Sequence, residues 1–281
     1  DIVTSEVAYS DIVQGGDWRT LKVVWWWENP YPEFDPETPW KRYLVKNSDE
    51  GGKQHHDQIF GDFDRDGQVE LVFWNTSVCK LFLAEIPENP KTAEVWDLHL
   101  IHQFECGDTK YEGLAKGDID NDGKDDIVGG GHWFKHTEGH TFEVKEIDPE
   151  YFGSRSVVGD IIEGGYKEVV LSSGDHTNSL NIYEYDGNEW TKTVLIDKVI
   201  NGHTLQVGDI DGDGYLDILT AEMAAWWIYM RNNAKGWILY GDGKGGFTKT
   251  IFSEGVCHHE TKIGDLDGDG DVDILGKPFF I

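Results

Sequence analysis

Four segments of this sequence place carboxylates where a hard cation finds an oxygen cage. Asp62, Asp64, Asp66 and Glu70 stand at positions 1, 3, 5 and 9 of a short stretch with Gly67 at position 6. The same spacing recurs in Asp118, Asp120, Asp122 and Asp126, in Asp209, Asp211, Asp213 and Asp217, and in Asp265, Asp267, Asp269 and Asp273. Calcium takes six to eight oxygen ligands, and a glycine lets the chain turn tightly enough for a backbone carbonyl at position 7 to join the side chains. The competing reading of such acids is a solvated Asp-Gly turn. An EF-hand shares the first half of the signature but needs an acid at position 12 and flanking helices, which this chain does not offer. A fifth copy, residues 159–168, has Ile162 and Gly164 where ligands belong, so no ion is expected there.

These loops must be held by something regular. Each is followed by a short apolar run, such as Leu71 to Trp74, Val169 to Leu171 or Ile218-Leu219. The copies start at Gly61, Gly117, Gly159, Gly208 and Gly264, which are 56, 42, 49 and 56 residues apart. That period suits four strands of ordinary length with their turns, the size of one propeller blade. Between loops lie further strand patterns (Lys80 to Ala84, Asn181 to Tyr185, Thr191 to Leu195) separated by turn residues such as Asp186-Gly187 and Gly241 to Gly246. No helical periodicity of useful length interrupts them. The expectation is an all-β chain, residues 1–281 as a single β-propeller of four-stranded blades. Asp1-Ile2-Val3 reads as the tail of a further copy, so the chain is expected to start inside a repeat. Five blades closed by joining the two ends are favoured, because closure removes sheet edges. Part of a six- or seven-bladed ring is the rival.

The repeated Gly-Asp-x-Asp-x-Asp-Gly loop followed by an apolar strand resembles the FG-GAP (VCBS) repeat family of calcium-binding β-propellers over nearly the whole chain. The resemblance implies about four structural calcium ions. It does not select a function, since integrin heads, fungal lectins, polysaccharide lyases and glycosidases share such blades. It also implies that a ligand site lies at the mouth of a central channel, on the face opposite the calcium loops. Residues there should be those that begin the first strand of each blade, namely His55-His56-Asp57, Tyr111-Glu112, Ser154-Arg155, His203-Thr204 and His258-His259-Glu260. Those that follow the second strands should join them: Ser5-Glu6, Trp74-Asn75, His132-Trp133, Asp175-His176, Glu222 and Lys277. Most of the 11 histidines fall in this set.

Two readings of the histidines compete. In one, His55, His56, His203, His258 and His259 act as general acid and base or hold a transition metal, Arg155 or Lys277 neutralises a carboxylate, and Trp74 or Trp133 stacks on a sugar; Tyr111, Glu112, His132, His176 and Glu222 complete a substrate site. In the other, these side chains bond to backbone and water along a polar axis. Cys257 beside His258 and His259 adds a third donor type, without the fixed spacing of a recognised metal motif. For Trp25, Trp26 and Trp27, alternation puts the middle ring on one face and its neighbours on the other, and packing between sheets is the expected use.

Composition removes some partners. The chain has 281 residues and a formal charge of -29. Nucleic acid and anionic membrane surfaces are bound through Lys and Arg, so neither is an expected partner. No apolar stretch approaches the roughly 20 residues of a membrane helix, and no membrane insertion is expected. Cys79 and Cys106 lie within one repeat and can pair, leaving Cys257 over. Loops of this kind fill at extracellular calcium levels, which favours a secreted or cell-surface protein. Two functions follow: an extracellular enzyme acting on carbohydrate by lyase or hydrolase chemistry, which the concentration of imidazoles favours, and a non-catalytic glycan-binding or adhesion module of lectin or integrin type. The negative charge counts against a lyase on polyuronates.

Overall fold

The computed structural model describes residues 2–5, 23–46, 55–107, 110–223 and 233–276. Glu6, Lys277 and the Trp226-Trp227 pair, expected like Trp25 to Trp27 to pack between sheets, lie outside them. Strands β1 (Ile2–Ser5), β2 (Val24–Trp27) and β3 (Arg42–Lys46) form a three-stranded sheet. Next come four four-stranded meanders: β4 (His55–Gly61), β5 (Glu70–Asn75), β6 (Lys80–Glu85) and β7 (Asp97–Gln103); β8 (Ala115–Gly117), β9 (Asp126–Gly129), β10 (His132–Glu138) and β11 (Thr141–Glu146); β12 (Arg155–Gly159), β13 (Glu168–Ser172), β14 (Thr177–Tyr185) and β15 (Trp190–Ile200); β16 (Thr204–Gly208), β17 (Asp217–Ala221), β18 (Lys235–Gly241) and β19 (Phe247–Glu254). A two-stranded sheet, β20 (Lys262–Gly264) with β21 (Asp273–Leu275), ends the series. The chain is all-β, and each four-stranded meander is a propeller blade. Among the described residues, helix is limited to single 3-10 turns at Thr76–Val78 and Pro149–Tyr151. No helix there is long and apolar enough to cross a membrane.

Burial explains the strand sequences. The second strands β5, β9, β13 and β17 are buried along their whole length. A strand covered on both faces needs an unbroken apolar run rather than alternation, and Leu71 to Trp74 and Val169 to Leu171 supply one. The last strands β15 and β19 are mostly exposed, and Thr191 to Thr193 and Thr248 to Thr250 carry the polar side chains that keep a sheet edge soluble. β2 alternates as expected: Val24 and Trp26 are buried, while Trp25 and Trp27 are half-buried. Trp26 stacks on Tyr43 at 4.6 Å, and the Arg42 guanidinium covers Trp25.

Two compact units share these sheets, Asp1–Lys110 with His136–Glu143, and Tyr111–Lys135 with Val144–Ile281. In the first, Val24, Trp26 and Val45 pack against Leu71, Phe73, Phe82 and Ala84, so the core lies between successive sheets. The second unit repeats this twice, with Val128 and Trp133 against Val169, Leu171 and Tyr183, and Val170, Leu180 and Ile182 against Leu205, Ile218 and Leu239. Cys79 and Cys106 form a disulfide with Cα atoms 5.6 Å apart, fastening the turn before β6 to the chain beyond β7. Cys257 is a half-buried thiol outside that bond.

Candidate functional site

Each acidic loop joins the first strand of a repeat to the second. In the loop after β4, one oxygen each from Asp62, Asp64, Asp66 and Glu70 lie within 4.8 Å of one another. Glu70 Oε2 accepts the Phe63 N–H at 2.7 Å, while Oε1 is buried without a hydrogen bond, as is Asp62 Oδ1. Burial pushes the Glu70 carboxyl up to about 7. The loop after β8 repeats the pattern: Asp126 Oδ2 accepts from Ile119 N at 3.2 Å, Oδ1 is buried without a hydrogen bond, and burial lifts this carboxyl to about 7 as well. Converging, desolvated carboxylate oxygens with no donor are what an oxygen-preferring divalent cation satisfies. A basic group already leans on the position-3 acid in both loops, His140 on Asp64 at 3.1 Å and the Lys135 ammonium on Asp120.

The position-9 acid braces every copy. Ile161 and Ile162 N–H bond Glu168 Oε2 in the copy without ligands, Ile210 N–H bonds Asp217 at 2.7 Å and Leu266 N–H bonds Asp273 at 3.0 Å.

At the other ends of the strands, a polar constellation forms within the second unit. Arg155, at the start of β12, is buried and donates through one terminal nitrogen to His203 Nδ1 at 2.9 Å and Glu260 Oε1 at 3.2 Å; Glu112 Oε2 lies 3.8 Å away. His203 Nε2 faces Asp175 Oδ1 at 2.5 Å, and His259 stacks on the His203 ring at 4.9 Å. The guanidinium has only hydrogens to offer, so Nδ1 of His203 accepts and Nε2–H donates to Asp175. Both nitrogens of that imidazole are therefore committed. Among the described residues, Glu112 and Glu260 face the guanidinium directly and Asp175 reaches it through His203.

Two glycines make this convergence possible. Gly113, beside Glu112, has φ of 76°, and a Cβ there would lie 1.9 Å from the Ser154 carbonyl oxygen. Gly174, beside Asp175, has φ of 55°, and its Cβ would lie 1.6 Å from the Gly153 oxygen. Both backbones press on the segment that leads into Arg155.

Next to Glu112 and Asp175 in the chain lies a row of rings. Tyr111 meets Phe152 at 6.2 Å, and Phe152 meets His176 edge-on at 5.0 Å. Tyr111 and Phe152 are half-exposed and His176 is exposed, so the row offers apolar surface beside Glu112 and Asp175.

Other expected site residues do something else. Trp74 and Trp133, expected to stack on sugar, are both 0% exposed; Trp133 packs edge-on against Tyr185 and Trp190, so these rings belong to the core. His258 engages Thr261 Oγ1 through Nδ1 and Ser253 Oγ through Nε2, and burial holds its pKa below the usual imidazole value. His132 is bonded through Nδ1 to the Gly130 carbonyl at 2.7 Å, with its pKa likewise lowered by burial. Glu222 accepts backbone N–H groups of Ile200 and Lys235, one on each oxygen. In the first unit, His55 is buried with its ring edge-on to Phe73 at 5.4 Å, and His56 is half-buried opposite Trp74. Phe152 was not expected; it follows the Pro149–Tyr151 turn, which has no counterpart in the repeat pattern. A cavity of about 410 Å³ in the β2–β3 connection, lined by Glu28, Glu33, Asp35, Trp40 and Lys41 among others, also carries no sequence signature.

Comparison with known proteins places this geometry. The FG-GAP-like repeat family matches residues 164–220, the stretch that runs from the braced loop after β12 through the acidic loop after β16. The chain contains an FG-GAP-like repeat. None of the curated proteins matches the sequence. Among solved structures, an Agrocybe aegerita lectin, described for specific recognition of non-reducing terminal N-acetylglucosamine, is similar with a TM-score of 0.53 and 17% identity, covering 84% of this chain and 65% of the lectin chain. That likeness is one of fold. The mutant Tc holotoxin pore of Photorhabdus luminescens is matched at a TM-score of 0.38 and 14% identity over 90% of this chain and 12% of that one. This chain thus spans under two thirds of the length of either.

Proposed function

We propose that this protein is a calcium-stabilised β-propeller that binds a neutral glycan at the Arg155 cluster, outside the cell. The observation that carries the reading is the row of half-exposed Tyr111 and Phe152 and exposed His176 laid beside Glu112 and Asp175. Sugars present an apolar face to rings and hydroxyls to carboxylates, and such a site needs both within one ligand's reach. The fold shared with a lectin is compatible with this. The formal charge of -29 on the chain favours a neutral sugar over a uronate.

Calcium fits the loops after β4 and β8 through the buried oxygens left without hydrogen bonds, and the same spacing assigns ions to the loops after β16 and β20. Within the second unit, strands of about five residues put the loops on the order of 15 Å from the Arg155 end, so ions there support the site without touching ligand. The Cys79–Cys106 disulfide supports an oxidising, extracellular setting. The repeat count supports five blades.

A lyase or hydrolase reading has one observation in its favour, the short Asp175 to His203 contact, which would orient an imidazole base. Arg155 occupies the other nitrogen, so a base or a transition-metal ligand at His203 requires that bond to break.

The test is a glycan array on the calcium-loaded protein, followed by titration of the best neutral ligand. Tyr111→Ala is expected to weaken binding roughly tenfold. Loss with Trp40→Ala instead would move the site to the β2–β3 cavity, and product release from a polysaccharide would establish the enzymatic reading. No glycan bound above background would overturn the proposal.

A further inference from the structure

Glu85, His99 and His140 converge in the first unit, and none of them belongs to the Arg155 cluster. Glu85 ends β6 and His99 lies in β7, diagonally across the pair, since Glu85 faces Asp97 and Leu83 faces His99. His140 sits at the tip of the hairpin between β10 and β11. Its Nε2 is 2.8 Å from Glu85 Oε1 and 3.1 Å from Asp64 Oδ2, and its ring stacks on that of His99 with centroids 3.5 Å apart. His99 Nε2 is buried and makes no hydrogen bond; Asp97 Oδ2 is 3.7 Å away.

Stacking alone does not account for this arrangement. One Nε2–H can donate well to one carboxylate, yet two converge on it, and a second imidazole nitrogen is desolvated alongside with no donor or acceptor. One divalent cation satisfies all of these atoms. We propose that Glu85, His99 and His140 form a transition-metal site of the zinc class, with Asp64 within reach as a fourth ligand.

The donor set decides the class. Two imidazole nitrogens with carboxylate oxygen suit zinc, cobalt or nickel, whereas calcium takes oxygen alone. One donor atom from each of the three residues lies within 4.8 Å of the others. Bonds of about 2.0–2.1 Å to a tetrahedral ion put ligand atoms about 3.4 Å apart, so an ion entering between Glu85 Oε1 and His140 Nε2, 2.8 Å apart without it, spreads that pair by roughly half an ångström. Because Asp64 also belongs to the acidic loop after β4, the two ions share a neighbourhood, and the site must be probed with calcium present.

The experiment is a titration of the calcium-loaded protein with Co²⁺, read by its visible absorption and by X-ray absorption of the bound ion. One equivalent is expected to bind with two imidazoles in its shell. His99→Gln and His140→Gln should each weaken binding by at least about tenfold. His203→Gln and Cys257→Ser should leave it unchanged. His140 occupies a hairpin tip, so its variant is expected to keep the wild-type melting temperature in calcium, which separates ligand loss from unfolding. Absence of an imidazole-bound equivalent overturns the site. So does Co²⁺ affinity that survives both His99→Gln and His140→Gln, or that disappears with His203→Gln or Cys257→Ser.

Discussion

Glu168 Oε2 accepts the Ile161 N–H at 2.8 Å, the same bond across seven residues that Glu70 makes to Phe63. The acid at position 9 therefore has two separable jobs. One oxygen ties the loop backbone, and the other is left without a hydrogen bond in Glu70 and Asp126, whereas in Asp217 it accepts the Gly241 N–H at 2.9 Å. Glu168 keeps the first job alone. Its Oε2 takes both Ile161 and Ile162, so the carbonyl of a Gln can do the same. Glu168→Gln is expected to leave stability within about 1 kcal/mol, whereas Glu168→Ala strands two backbone donors and costs about 2–3 kcal/mol in urea unfolding. Equal losses for the two variants would refute the brace.

Chelation should change how stability responds to pH. Metal-free, Glu70 and Asp126 keep protons up to about pH 7, against ordinary values of 4.5 and 3.8. Between those limits the native state binds more protons than the unfolded chain. Stability of the chelated protein therefore falls as pH rises from about 4 to 7 and levels off above, by on the order of 3–4 kcal/mol for each group. Bound calcium compensates the carboxylate charge and removes that slope. Melting curves with chelator and with calcium across this range are the check, and parallel profiles would count against calcium in these two loops.

Lys135 places its ammonium on Asp120 in the loop after β8. A cation entering that loop competes with it. Lys135→Met is expected to raise calcium affinity at one site by roughly three- to tenfold, on the scale of a partly exposed ion pair. Calorimetric titration of the two proteins would show it; unchanged affinity would mean that the pair does not oppose the ion.

The disulfide spans 27 residues. Closing a loop of that size restricts the unfolded chain by roughly 3–4 kcal/mol. Cys79→Ser with Cys106→Ser should lose about that much in denaturant unfolding, while Cys257→Ser should not.

The acidic loops were legible as strand-to-strand connections because their 1, 3, 5 and 9 spacing recurs ahead of each apolar run, and the four carboxylates after β4 do converge. The blades were legible from buried second strands such as Val169 to Leu171, whose apolar runs admit no other placement. Trp74 and Trp133 were not, because a tryptophan at a strand end reads the same whether it faces ligand or the next sheet, and only packing against Phe104 or Tyr185 decides. His203 and Arg155 were picked out, but their mutual bond depends on how two loops approach. Phe152, His99 and His140 gave no signal, because nothing in their spacing reveals which hairpin tip meets which strand.

Gly113 and Gly174 divide the ways this site can change over evolutionary time. An alanine at either position would drive a methyl into a neighbouring carbonyl, so the loop paths are effectively frozen by two absent side chains. Their immediate neighbours Glu112 and Asp175 carry no such constraint. New ligand preferences on this scaffold are therefore most accessible by exchanging the residues next to the glycines, with the backbone inherited unaltered from one preference to the next.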